Sequence, residues 1–231
     1  RFLYTIPNYQ NPSGITLAAD RRPGILAIAQ RFDLLIVEDD VYRELAYEAS
    51  PPASLFALDD TNRVLRIGSF SKILAPGVRM GWIMGPEGFI ARLISSGLRS
   101  MGGGASPLMA NILSAYCQRG HLERHITNLR QVYRERRDTM LQALISEMPK
   151  GTDWTQPSGG FFIWLCLPPT LRAAEVAMLA REAKLLIPIG DPFFAQEPTG
   201  QYLRLAFSYV TPPEIEAGIQ ILGKVLRQRL L

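Results

Sequence analysis

Lys72 stands where an amine could react. It follows the run Val64-Leu65-Arg66-Ile67, with the hydroxyls of Ser69 and Ser71 just before it and Arg79 seven residues beyond. The run reads as a strand that ends beside the lysine. An ammonium desolvated at a strand end gives up its proton more readily and can then add to an aldehyde. The Arg79 guanidinium offers a planar fork of donors suited to phosphate oxygens, and the two serines add hydroxyl donors. Aldehyde and phosphate together describe pyridoxal 5′-phosphate (PLP).

Three other segments carry polar groups at element ends. Pro7-Asn8-Tyr9-Gln10-Asn11-Pro12-Ser13-Gly14 follows the short apolar run Phe2–Ile6, and its Asn-Pro and Ser-Gly pairs make a turn. Taken alone it is a plain loop. Leu34-Leu35-Ile36-Val37 runs into Glu38-Asp39-Asp40, the pattern of a buried parallel strand whose carboxyl end opens onto a site. An aspartate there can pair with a protonated pyridine nitrogen, with Asp39 and Asp40 both candidates, or the acids can simply cap the next helix. Gln201–Ser208 alternates as a strand does, with Tyr202, Arg204 and Ala206 on one face and Leu203, Leu205 and Phe207 on the other. Alone, Arg204 reads as a surface charge.

In combination these segments change meaning. Ser69–Gly81 resembles the S-x-S-K-x-x-x-P-G-x-R-x-G signature of class I/II aminotransferases, the fold-type I PLP enzymes. Asn11-Pro12-Ser13-Gly14 resembles their N-P-x-G turn, Asp39-to-Tyr42 their D-x-x-Y pattern, and Leu203-Arg204-Leu205 their carboxylate-gripping strand. Pro157–Trp164 matches a P-x-G-G-x-F-x-W segment, and Ile187–Phe194 a variant of V-x-P-G-x-x-F. The resemblance spans essentially the whole chain. It is strongest toward 2-aminoadipate and kynurenine type aminotransferases, and is shared with the aminotransferase-like domains of MocR regulators.

The resemblance implies residue roles. Lys72 would hold PLP as a Schiff base and then act as general base; Asp39 would pair with the pyridine nitrogen; Asn11 and Tyr42 would meet the phenolic oxygen. Ser69, Ser71 and Arg79 would hold the phosphate, and Arg204, beside Asn11, the substrate carboxylate. The implied reaction moves an amino group between an α-amino acid and a 2-oxo acid, with 2-oxoglutarate as the usual acceptor, by a ping-pong route in a homodimer. Decarboxylases and β-lyases share the fold. The second implied class is a MocR-type regulator, whose nucleic-acid contact would need an upstream DNA-binding domain; such regulators more often carry phenylalanine where this chain has Asn11. Relatives also hold the phosphate with an upstream glycine-rich loop, so the chain is expected to be part of a longer protein. The Met101–Pro107 run is no substitute: it lacks phosphate-loop spacing and reads as a bend.

Composition sets the remaining bounds. With 231 residues, 47% of them apolar, the chain can bury a real core. No apolar run approaches a membrane span and no leader pattern is present, which fits a cytoplasmic protein. The net charge of +4 owes much to Arg124, Arg130, Arg134, Arg136 and Arg137, which read as the solvated face of a long amphipathic helix. His121 and His125 lack a third ligand for a metal. Cys117 and Cys166, without C-x-x-C spacing, read as buried free thiols.

The expected fold is α/β: a mostly parallel, doubly wound sheet of fold type I, with a smaller α+β domain after it. Strands are expected at 34–37, 64–68 and 81–84, and helices at 17–31 (capped by Thr16 or Asp20), 106–118 and 121–147. Further elements are expected at 161–167, 173–183 and 202–208. Residues 1–145 would form the C-terminal part of a large PLP-binding domain including the long helix, and 146–231 the small domain.

Overall fold

The computed structural model of the chain describes residues 1–97, 102 and 104–230. The chain divides into two compact units: Arg1–Asn8 with Thr16–Leu129, and Tyr9–Ile15 with Arg130–Leu231. The division by compactness falls inside the long helix. It also assigns the Tyr9–Ile15 turn to the second unit.

In the first unit, apolar runs form β1 (Phe2–Thr5), β2 (Leu35–Asp39), β3 (Val64–Ser69) and β4 (Gly81–Met84). They lie in that order in one sheet, with β1–β2 and β2–β3 parallel and β3–β4 antiparallel. A parallel step needs a crossover, and α1 (Arg22–Arg31) and α2 (Leu55–Leu58) occupy the two crossovers. Ala29 from α1, Leu55 from α2, Ile36 and Val64 close the core. Gly68 in β3 has a packing reason, because a Cβ there would lie 2.1 Å from the Trp82 ring.

Helix α1 starts later than the sequence suggests. A short 3-10 turn, Ala19–Arg21, precedes it, and neither Thr16 nor Asp20 caps it. Pro23 in the first turn sets the start, since its fixed φ and missing N–H suit only that position. The unit continues with α3 (Glu87–Ile94), α4 (Pro107–Gln118) and the start of α5 (His121–Glu147). Ser106 caps α4, its Oγ accepting from the Met109 N–H. Within the Met101–Pro107 run, Met101 and Gly103 lie outside the described residues.

The second unit holds an antiparallel sheet of β5 (Asp153–Trp154), β6 (Phe162–Cys166) and β7 (Tyr202–Ala206), with α6 (Ala173–Glu182), α7 (Pro212–Leu230) and the rest of α5. On β7, Leu203 and Leu205 are buried while Tyr202 and Arg204 are half-buried, the expected alternation. Helix α7 was not anticipated, although Thr211 and Glu214 form a capping box: the Glu214 carboxylate accepts from the Thr211 N–H at 2.8 Å and its hydroxyl at 2.7 Å.

Two surface expectations need correction. Arg137 is buried rather than solvated, donating to the Pro157 carbonyl at 2.8 Å and pairing with Asp138 at 2.7 Å. Helix α5 turns this arginine toward Pro157, and its basic face is interrupted there. Cys117 and Cys166 are free but only half-buried. Among the described residues no cluster of three metal-ligating side chains occurs, and no helix is long and apolar enough to cross a membrane.

Candidate active site

The parallel pairing of β2 and β3 puts their carboxyl ends side by side: Asp39 is in register with Ile67, and Ser69 closes β3 two residues later. The chain then folds into a turn in which the Leu74 N–H donates to the Phe70 carbonyl at 2.8 Å, with half-buried Lys72 inside it. No hydrogen bond or ion pair ties the Lys72 ammonium among the described residues.

Ser69 anchors the lysine turn. Its Oγ accepts from the Ser71 N–H at 3.1 Å and donates to the Met80 carbonyl at 3.4 Å. A 3-10 turn, Pro76–Val78, brings the chain back, and Arg79 after it is left-handed, φ 50° and ψ 38°. A long side chain rarely adopts that conformation, and strain of this kind is retained where the surroundings fix it. Ser69, Ser71 and Arg79 line one concavity of about 260 Å³ together with Val41, Ile67, Gly68, Met80 and Gly81.

The adjacent acids Asp39, which ends β2, and Asp40, just past it, have separate surroundings. Asp40 is buried and fully engaged: its carboxylate accepts from Asn8 Nδ2 at 2.6 Å and Arg66 Nε at 2.9 Å, with Arg43 at 3.8 Å. Asn8 in turn accepts at Oδ1 from Arg22 Nη2 at 2.7 Å, and fully buried Arg22 also donates to the Leu17 and Ala53 carbonyls. Burial lowers the Arg22 pKa, opposed by the charges of Glu38 and Asp40. Glu38, buried on the strand face opposite to that of Asp39, receives the Leu55 and Phe56 N–H groups at the start of α2. Desolvation raises its pKa, and those two hydrogen bonds oppose the rise.

Asp39 is half-buried and has a different set of donors. The Tyr4 hydroxyl donates to its Oδ2, and the Val41 N–H lies 3.4 Å from its Oδ1. Tyr42 sits buried in the turn after β2, where its carbonyl accepts from the Leu45 N–H at 2.8 Å.

In the second unit, Arg204 Nη1 donates to Asn11 Oδ1 at 2.9 Å. Only the amide oxygen can accept from a guanidinium, so Asn11 keeps its NH2 as a donor. The Arg204 guanidinium also lies over the Phe162 ring at 4.6 Å and the Phe193 ring at 4.9 Å, which hold its plane. The turn bearing Asn11 is fitted to this unit: Gly14 has φ +69°, and a Cβ there would meet the Phe162 carbonyl at 2.5 Å. The Asn11–Pro12 peptide is cis.

The first unit therefore gathers Asp39, Tyr42, Ser69, Ser71, Lys72 and Arg79, and the second gathers Asn11 and Arg204. Sequence reasoning missed Tyr4 and the Asn8–Arg22–Asp40–Arg66 network. Tyr4 left no trace in the sequence, since only the β1–β2 register puts it on the same sheet face as Asp39.

Residues 4–222 match the aminotransferase class I and II family, and the chain belongs to it. It is 36% identical over 230 residues to aromatic-amino-acid aminotransferase 1 of Thermococcus litoralis, covering 100% of this chain and 55% of that protein. It is also 36% identical over 226 residues to an uncharacterized HTH-type transcriptional regulator of Bacillus subtilis, covering 98% of this chain and 46% of the regulator. Among solved structures it is similar to Pyrococcus horikoshii kynurenine aminotransferase in complex with PMP, with a TM-score of 0.95 and 37% identity, covering 100% of this chain and 57% of that one. The fold is that of the PLP-dependent aminotransferases. The chain spans about half the length of the curated relatives it matches.

Proposed function

We propose that this chain carries the lysine half of a PLP-dependent aminotransferase site, and that the protein moves an amino group between an α-amino acid and a 2-oxo acid such as 2-oxoglutarate. The observation that carries the reading is the common placement of Asp39, Lys72 and the Ser69–Ser71–Arg79 concavity at the carboxyl edge of two adjacent parallel strands. Ligands of open α/β sheets bind at that edge.

The donor set suits PLP. Two serine hydroxyls and a guanidinium on one concavity match a phosphate, the Asp39 carboxylate matches a protonated pyridine nitrogen, and the Asn11 NH2 matches an anionic oxygen, joined in this reading by Tyr42. When bound, PLP supplies an electron sink that makes the substrate Cα–H acidic. The residues of the chain do the rest. Lys72 would hold the cofactor through its amine and, once the incoming amino group has freed that amine, would move the proton at substrate Cα as general base. Arg204 grips the α-carboxylate as a fork already levelled by two aromatic rings and Asn11. In this reading residues 1–145 act as part of a large cofactor domain and 146–231 as the small domain, in a cytoplasmic homodimer.

Borohydride trapping tests the reading: incubate with PLP, reduce, digest and map the label, then screen amino donors with 2-oxoglutarate. A pyridoxyl group on Lys72 of the full-length protein is the expected result, and its absence there refutes the proposal. Arg204→Lys is expected to lower kcat/KM for the amino acid by about 10–100-fold, because a lysine cannot make the bidentate pair. Steady-state kinetics at varied donor concentration would show it, mainly as a raised KM.

The regulator among the relatives supports a second reading, an effector domain that senses PLP or an amino compound. Amino transfer with catalytic turnover would separate the two, since a sensor needs binding alone.

A further inference from the structure

We infer that Tyr4 is a positioning residue for Asp39: its hydroxyl holds one carboxylate oxygen and so fixes the orientation in which Asp39 meets a cationic ring nitrogen. The inference rests on the PLP reading above and adds a residue to it.

Register makes the contact possible. Tyr4 pairs with Val37 across β1 and β2, so it shares a sheet face with Asp39, two residues farther along. The hydroxyl donates to Oδ2, while Oδ1 has the Val41 N–H at 3.4 Å. Each carboxylate oxygen has two lone pairs, so both keep room for another donor. Of the two acids, only Asp39 has this arrangement, Asp40 being occupied by Asn8 and Arg66.

Burial of the Tyr4 ring does not account for its presence. Tyr4 is 51% exposed, and a phenylalanine would cover the same sheet face. The hydroxyl is the part that tyrosine adds, and it faces a carboxylate. Desolvation, the hydrogen bond to Asp39 and the Asp39 charge all raise the phenol pKa, so the hydroxyl remains a donor at neutral pH. A carboxylate oxygen held by a neutral donor is fixed in orientation, and its free lone pairs are aimed at one place where a cationic nitrogen could sit.

The test is a double-mutant cycle read by PLP binding. Tyr4→Phe, Asp39→Asn and the double variant are compared with the unmodified protein by equilibrium dialysis of PLP, absorbance of the bound cofactor, and melting of the cofactor-free protein. Tyr4→Phe is expected to raise the PLP Kd about tenfold and to alter the absorbance spectrum, with unchanged melting. In the Asp39→Asn background the same change should have no further effect. Equal Kd and spectrum for Tyr4→Phe and the unmodified protein would overturn the inference, as would the same loss in both backgrounds. Borohydride labelling of the unmodified protein separates the two levels. Label on Lys72 with an unaffected Tyr4→Phe sinks the positioning role alone, whereas absence of label sinks the PLP reading and this inference with it.

Discussion

Lys72→Ala should retain no borohydride-fixed pyridoxyl group and should slow amino transfer by about 10²–10⁴-fold, the range that a positioned general base contributes. Two functions are lost together, covalent attachment of the aldehyde and proton transfer at substrate Cα. The fold should survive, because no hydrogen bond or ion pair ties the Lys72 ammonium among the described residues, and the turn around it is held by the Phe70 carbonyl and by Ser69 Oγ. Peptide mapping after reduction, single-turnover kinetics and circular dichroism would check the three parts. Label spread over other lysines in the variant, with activity unchanged, would show that Lys72 has no such role.

The second large effect separates two neighbouring acids. Asp40→Ala is expected to cost about 3 kcal/mol of folding stability, the lower end for breaking a buried pair, because Arg66 keeps some contact with water. The loss has three sources: Asn8 Nδ2 is left buried without its acceptor, Arg66 loses both nitrogens' partner, and Arg22 loses the electrostatic support of the acid. Asp39→Ala should change stability by less than about 1 kcal/mol, since its side-chain partner lies at an exposed ring. Urea denaturation of the two variants would measure the contrast, and PLP binding should rank them in the opposite order. Equal stability losses would mean that the burial difference between the two acids does not set their roles.

The chemical positions were readable because each follows an element whose pattern is local. Lys72, Ser69 and Ser71 sit just past a run of strand formers, Asp39 ends another, and Arg204 lies on a strand with strict alternation. The long helix, too, carries its periodicity in its own residues and runs from His121 to Glu147 as expected. Burial of charge was not readable. Arg21 and Arg22 are adjacent and chemically identical, yet Arg21 is exposed and Arg22 fully buried. What distinguishes them is a set of acceptors from Asn8, Leu17 and Ala53, three segments that only the fold brings together. Arg137 is the same case, since its acceptor is a carbonyl twenty residues away. Tyr4 depends on register, which fixes the face of every residue in a strand and cannot be counted until the partner strand is known. Helix α7 was readable in principle, through the Thr211–Glu214 box and the apolar series Ile215, Ile219, Leu222 and Leu226.

The assignment of Tyr9–Ile15 to the second unit bears on how such proteins can be recombined. Tyr9 is almost completely buried, Gly160 has no room for a Cβ against it, and Gly14 is packed on the Phe162 carbonyl. A crossover between two homologous genes at a single point in the long helix would transplant residues 130–231 while leaving the turn that fits them behind. Viable chimeras should therefore exchange 9–15 and 130–231 as one block, a heritable module that is discontinuous in the gene.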